Sequence, residues 1–188
     1  MKHSFLGLVA LTLLFSSCKK KQNPFEISKQ HIGLLTDSSQ VKDLKTIFAN
    51  DSLSTFINRD GFSGSKNSID IFEKGGKKLL ALTPKQTLDS TSVIQSIQII
   101  DPRYKTDKDI TTLSTFKDIS SAYKVSRIDN LINSVIVNVK ELHASFVIDK
   151  EELPANLRFD MNLKIETTHI PDQAKVKYFF IHWNHLNK

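Results

Sequence analysis

The residue pattern of this 188-residue chain predicts an α+β fold, a mostly antiparallel sheet carrying two short helices. Two stretches, 41–48 and 116–123, place apolar residues at their first, fourth and eighth positions, which is one stripe of a helix. Each is followed by short apolar runs divided by turn residues, the mark of strands folded back on one another. Helix-then-strands occurs twice. That order predicts a tandem repeat of a strand–helix–strands unit, 25–101 and then 102–188, standing as two lobes or joined in one continuous sheet.

The two helical stretches align without gaps, and Lys42-Asp43 falls on Lys117-Asp118. Their starts are expected at Asp37, with Gln40 three residues on, and at Thr112, because such side chains accept from the free N–H groups of a first turn. Extended segments follow at 52–57 and 125–130. In the first half, 69–73 alternates, Gly75-Gly76 offers a tight turn open to positive φ, and 78–83 is apolar. In the second half, 135–140 and 144–149 repeat that outline. A strong strand closes each half, 92–100 and 175–183, with Val93 and Ile97 aligned on Val176 and Phe180. The polar segment 101–107 is the joint. Asp149 with Glu151 and Glu152 predicts one capped helical turn that Pro154 stops. Leu157, Phe159, Met161, Leu163 and Ile165 then alternate with polar residues, the period of a half-buried strand, with a short helix as the alternative, and Pro171 marks a turn before the last strand.

With 39% hydrophobic and 24% charged residues, the composition is that of a globular protein. A single cysteine excludes an internal disulfide and a cysteine-built zinc site. The formal charge of +6 does not read as nucleic-acid binding. The basic residues are dispersed and mostly lysine, with arginine only at 59, 103, 127 and 158. Arginine is the side chain that grips phosphate in two-pronged fashion. The N-terminus has a different character. Lys2 gives it a positive charge, and residues 5–15 are apolar except for Gly7 and Thr12. Such a run is too short for the roughly 20 helical residues that a bilayer core needs. It fits the apolar region of a secretory signal.

The segment Leu14, Phe15, Ser16, Ser17, Cys18 resembles the lipobox of bacterial lipoproteins, with Phe15 where that family more often has leucine. The resemblance implies that residues 1–17 are removed as a signal peptide. Cys18 then carries diacylglycerol on its thiol and, usually, an acyl group on its new amino terminus. Two or three acyl chains hold firmly where one is marginal. Residues 18–24 are then a lipidated tether. Its Lys19, Lys20 and Lys21 each contribute about 1 kcal/mol near a strongly anionic surface, and its extended reach is roughly 20 Å. Without an acidic residue directly after the cysteine, the pattern is similar to lipoproteins of the outer membrane facing the periplasm. The rest of the chain resembles small envelope lipoproteins of uncharacterised role. The partners implied are the membrane, through the anchor, and an envelope protein or cell-wall component.

Catalytic signatures are missing from the sequence. Gly61, Phe62, Ser63 and Gly64 lack the spacing of a nucleophile elbow and sit in a polar loop, 58–67, which is the first candidate contact surface. His182 and His185 fall on opposite faces of a strand, and no ligand set is read among His31, His143 and His169. No catalytic, cofactor or metal residue is therefore assigned, and Cys18 is the one site residue. Asp70 and Glu73 flank a hairpin and are expected to face solvent. Asp149, Glu151 and Glu152 serve a helix start. A non-catalytic, membrane-anchored binding protein is the resulting expectation. One alternative is a small-ligand binder with a cleft between the halves where Phe56, Phe72, Phe116 or Tyr123 meet. Another is a hydrolase, which needs a histidine and a carboxylate within hydrogen-bond reach.

Overall fold

The computed structural model describes residues 23–57 and 67–183. The leader, Cys18, most of the tether and of the 58–67 loop, and His185 lie outside the described residues. In the first half, three two-residue strands come first: β1 (Glu26–Ile27), β2 (His31–Ile32) and β3 (Leu35–Thr36). A 3-10 turn at Val41–Asp43 runs into α1 (Leu44–Ile47), and β4 (Ser52–Ile57), β5 (Asn67–Phe72), β6 (Lys78–Pro84) and β7 (Ile94–Ile99) follow. In the second half, β8 (Lys105–Thr106) precedes α2 (Phe116–Ala122). Then come β9 (Arg127–Asn130), β10 (Ser134–Val139), β11 (Ala144–Asp149) and β12 (Val176–His182).

Eight strands make one antiparallel sheet in the order β4-β5-β6-β7-β12-β11-β10-β9. The last strand of each half meets the other at the centre. A small second sheet, β3-β2-β1-β8, joins the two starts, with β8 parallel to β1. The fold is thus α+β, and the halves share one sheet.

The registers of the halves correspond to the residue. At the seam Gln98 lies opposite Phe180. In the first half Thr83 pairs with Ser96 and Pro84 with Ile94, across a bulge. In the second half Val147 pairs with Tyr178 and Ile148 with Val176, across a bulge at the same place. Strand bulges are specific devices for bending a ladder, so a shared one is a close likeness of backbone. This register puts Ile97 in correspondence with Phe179, one residue from the expected alignment on Phe180. A one-residue slip exchanges the faces of a strand. Ile97 and Phe179 both belong to the core, whereas Phe180 looks outward.

One face of the large sheet is apolar throughout. Ile69, Ile71, Leu80, Leu82, Ile97 and Ile99 supply it from the first half. Val135, Val137, Phe146, Ile148, Phe179 and Ile181 supply it from the second. Phe146 and Phe179 stack with centroids 4.4 Å apart. Leu44 and Phe48 by α1, and Ile119 and Tyr123 by α2, belong to the same buried cluster. The helical stripes read from the sequence therefore do what an amphipathic face does.

Both helices start later than expected. Gln40 bridges to Val93 and Thr115 to Lys175, so the chain stays extended up to these residues. The helix begins only after each. The caps are then Gln40, whose N–H donates to Asp43 Oδ2 at 3.0 Å, and Thr115, whose N–H donates to Asp118 Oδ2 at 2.8 Å. Asp37 and Thr112 are not caps.

The alternating stretch 157–165 is not a strand. A 3-10 turn at Ala155–Leu157 leads into bends, Phe159 is 88% exposed, and only Ile165 of the five apolar residues is buried. Asn130 holds this segment by donating from Nδ2 to the carbonyls of Asp160 (3.0 Å) and Leu163 (2.9 Å). Its carbonyls are engaged by a side chain rather than by a sheet edge. The capped turn after Asp149 forms as expected, as a 3-10 turn at Lys150–Glu152.

Candidate functional site: the open face of the sheet

The second face of the large sheet carries neither helix nor second layer among the described residues. Its side chains alternate with the core set, as strand geometry requires. Across the middle runs one row set by the registers: Ser54, Asp70, Ala81, Gln98, Phe180, Ser145, Asn138, Arg127. Around its centre lies a groove of about 810 Å³ with walls from both halves. The first half lines it chiefly with polar groups: Ser68, Asp70, Lys78, Thr83, Ser96 and Gln98. The second half brings Ile136, Val147, Phe180, Ser145 and His182. The backbones correspond but the chemistry differs: Gln98 stands where its counterpart is Phe180, and Asp70 where its counterpart is Asn138.

A directed chain of hydrogen bonds crosses five strands here. Asp129 on β9 only accepts, so Asn138 must turn Nδ2 to it (2.8 Å) and present Oδ1 to Ser145. Ser145 Oγ donates to that Oδ1 at 2.8 Å and spends its only proton there. It must then accept from His182 Nε2–H at 3.1 Å. His182 is left with a bare Nδ1, which accepts from Ser96 Oγ–H at 3.2 Å. The Asp129 carboxylate thus sets the tautomer of an imidazole three strands away. Burial, with His143 adding to it, pushes the His182 pKa below its ordinary value and keeps the ring neutral.

Asp70 is 5% exposed, contrary to the solvent-facing position expected from its hairpin. The hairpin turn is exposed, but Asp70 lies two residues inside β5, on the groove face. One carboxylate oxygen is ion-paired with Lys78. The other, Oδ1, is buried without a hydrogen-bond partner among the described residues. Buried polar atoms are nearly always paired, which makes this oxygen unusual. On β12, Tyr178, Phe180 and His182 form an aromatic ladder with centroid spacings of 6.3 and 6.2 Å.

Phe72, Phe116 and Tyr123 do not meet in a cleft between the halves, and Phe116 and Tyr123 share only a shallow pocket within the second half. Phe116 and Tyr123 are buried beneath α2 on the opposite face, because the helical stripe must be covered by the core. Phe72 is half-buried and outside the groove lining, and the Phe56 side chain lies outside the described residues. Of the described histidines, only His182 lines the groove. Its partners are two hydroxyls, and no carboxylate hydrogen-bonds to it. Among the described residues no group of three or more metal-ligating side chains converges. The groove residues were hidden in the sequence as ordinary outward-facing strand positions. The one available signal was the triple alternation Tyr178, Phe180, His182.

No family model matches the chain, and no curated protein matches it. Its fold is similar to the crystal structure of the uncharacterized protein yfeY from Escherichia coli, with a TM-score of 0.55 at 15% identity. The match covers 84% of this chain and 99% of that one. At that identity the likeness concerns the fold alone.

Proposed function

We propose that the chain is a membrane-anchored, non-catalytic envelope lipoprotein that binds a cell-wall component or a protein through the groove on its open sheet face. The observation that carries this reading is the groove itself. It lies across the seam of the two halves, and a buried carboxylate oxygen without a partner among the described residues belongs to its wall. Clefts at junctions between structural units, mostly apolar with a few placed polar groups, are the usual form of a ligand site. A small ligand in the same groove is the second reading, favoured by the same volume.

A hydrolase is less well supported. His182 does accept from Ser96, as a general base would. But Ser96 lies on a central strand whose neighbours β6 and β12 take up its backbone groups. Among the described residues that strand offers no free N–H pair to stabilise an oxyanion.

Two measurements test the proposal. Acyl label should enter the native chain and not Cys18→Ala; label in that variant would remove the anchor. A photo-reactive residue at Gln98, in the groove, should give an adduct in intact envelopes, whereas one at Leu113, exposed in the turn before α2 and outside the groove lining, should not. Equal yields at both positions would remove the groove as the binding surface.

A further inference from the structure

We propose that the groove takes a neutral, polyhydroxylated ligand, a saccharide segment, with Phe180 as its stacking platform and Asp70 as its principal hydroxyl acceptor; this rests on the groove being the binding surface. Charge comes first. Among the described residues the only ion pair lining the groove is Asp70 with Lys78, of opposite sign, and no arginine lines it. An anionic ligand or a nucleic-acid strand would need unbalanced positive charge. A peptide added as a strand needs a free sheet edge, and the groove lies mid-sheet, where β6, β7, β12 and β11 each have both neighbours.

What remains is a surface of hydroxyl and amide groups beside an aromatic ladder. Ser68, Thr83, Ser96 and Gln98 stand on one wall, Phe180 and His182 on the other. A sugar ring presents C–H groups on its face and hydroxyls on its rim, so it matches an apolar ring flanked by hydrogen-bonding groups. Asp70 Oδ1 supplies an acceptor that has no hydrogen-bond partner among the described residues. The lysine beside it pairs with the other oxygen, Oδ2, and its long stem, in a side chain 35% exposed, can shift to admit a donor hydroxyl to Oδ1 while keeping that pair. The ladder spacing of about 6 Å along β12 suits consecutive rings of a chain rather than a single sugar.

The source of the saccharide can be a wall glycan or a glycolipid headgroup, and two probes separate them. The full chain in detergent micelles, labelled with nitrogen-15, is titrated with a linear tetrasaccharide of β-1,4-linked N-acetylglucosamine. In the second arm it is mixed with vesicles carrying monogalactosyl diacylglycerol. Saturable shifts confined to amides of β6, β7, β11 and β12, with a Kd of about 1 mM or tighter, are expected in at least one arm. The first arm marks a free glycan and the second a lipid-borne one. Phe180→Ala should weaken binding at least about tenfold. Gln98→Ala, a half-exposed change that leaves the core untouched, should weaken it by a smaller factor, and Leu113→Ser should not change it. Absence of localised shifts in both arms, or undiminished binding by a folded Phe180→Ala, overturns the assignment. If saccharide fails while the Gln98 probe still yields a groove-specific polypeptide adduct, the ligand class is wrong and the binding surface stands.

Discussion

Gly33 is buried at φ +56°, and a Cβ built there would sit 2.2 Å from the Pro24 carbonyl oxygen. Left-handed backbone alone costs a side-chain-bearing residue roughly 1–2 kcal/mol, and here a rigid backbone atom blocks the space as well. Gly33→Ala should therefore destabilise by more than that, and by more than Gly76→Ala, whose site has nothing within 4 Å. Denaturant unfolding of the two variants checks it. Ser145→Ala removes the link between His182 and Asn138 and strands two groups, at about 1–3 kcal/mol for each one buried. The pH dependence follows from the same ring. Burial depresses His182, and burial with Lys29 and Lys140 depresses His143. His143 is the titrating neighbour of His182, and Asp70 and Lys78 share the groove with it. An unfolded chain takes up protons near pH 6.5 that the folded one refuses until lower pH. Stability should be full above about pH 7 and fall as pH drops through the depressed folded values. His182→Gln should flatten part of that slope in unfolding midpoints measured from about pH 7.5 to 5, and an unchanged slope would mean the ring is not held neutral.

The helices and strands were largely legible because their apolar spacing is a direct image of burial. Leu44 and Ile119 hold the same place in the aligned stretches 41–48 and 116–123, and both are completely buried. Leu44→Ala and Ile119→Ala should each cost about 2–5 kcal/mol, with similar shifts in melting temperature. Thr115→Ala should cost about 0.5–2 kcal/mol, since it removes a reciprocal cap. Two kinds of feature escaped. Cap positions depend on where the preceding chain stops being extended, and the bridges Gln40–Val93 and Thr115–Lys175 that decide this join residues remote in sequence. The 157–165 stretch has a strand's period without a strand's partner, because Asn130 takes its carbonyls. The groove was the least visible of all. Asp70, Gln98 and Phe180 become neighbours only through strand order and register, which no local spacing encodes.

At the size of the complete body, the decisive contact is the seam of β7 against β12. A chain ending at residue 101 would keep α1 and four paired strands but expose β7 as a long apolar edge, the kind of edge that recruits another strand. Since β7 and β12 occupy corresponding places, β7 of one copy can stand in for β12 beside another. The fragment 23–101 should therefore sediment as a dimer or aggregate rather than as a monomer. A stable monomer would show that the seam contributes little. The described residues contain no helix long and apolar enough to cross a membrane.

The same seam sets a timetable. Ser96 and His182 touch only after more than eighty intervening residues have been brought round, and such distant closures are the slow steps of folding. Each half can zip its hairpins through local contacts, whereas Gln98 meets Phe180 only by a long-range closure. The pocket is thus a feature of the finished molecule alone, so a chain whose halves have not yet met has nothing to bind with, and capture of ligand would itself report that assembly is complete.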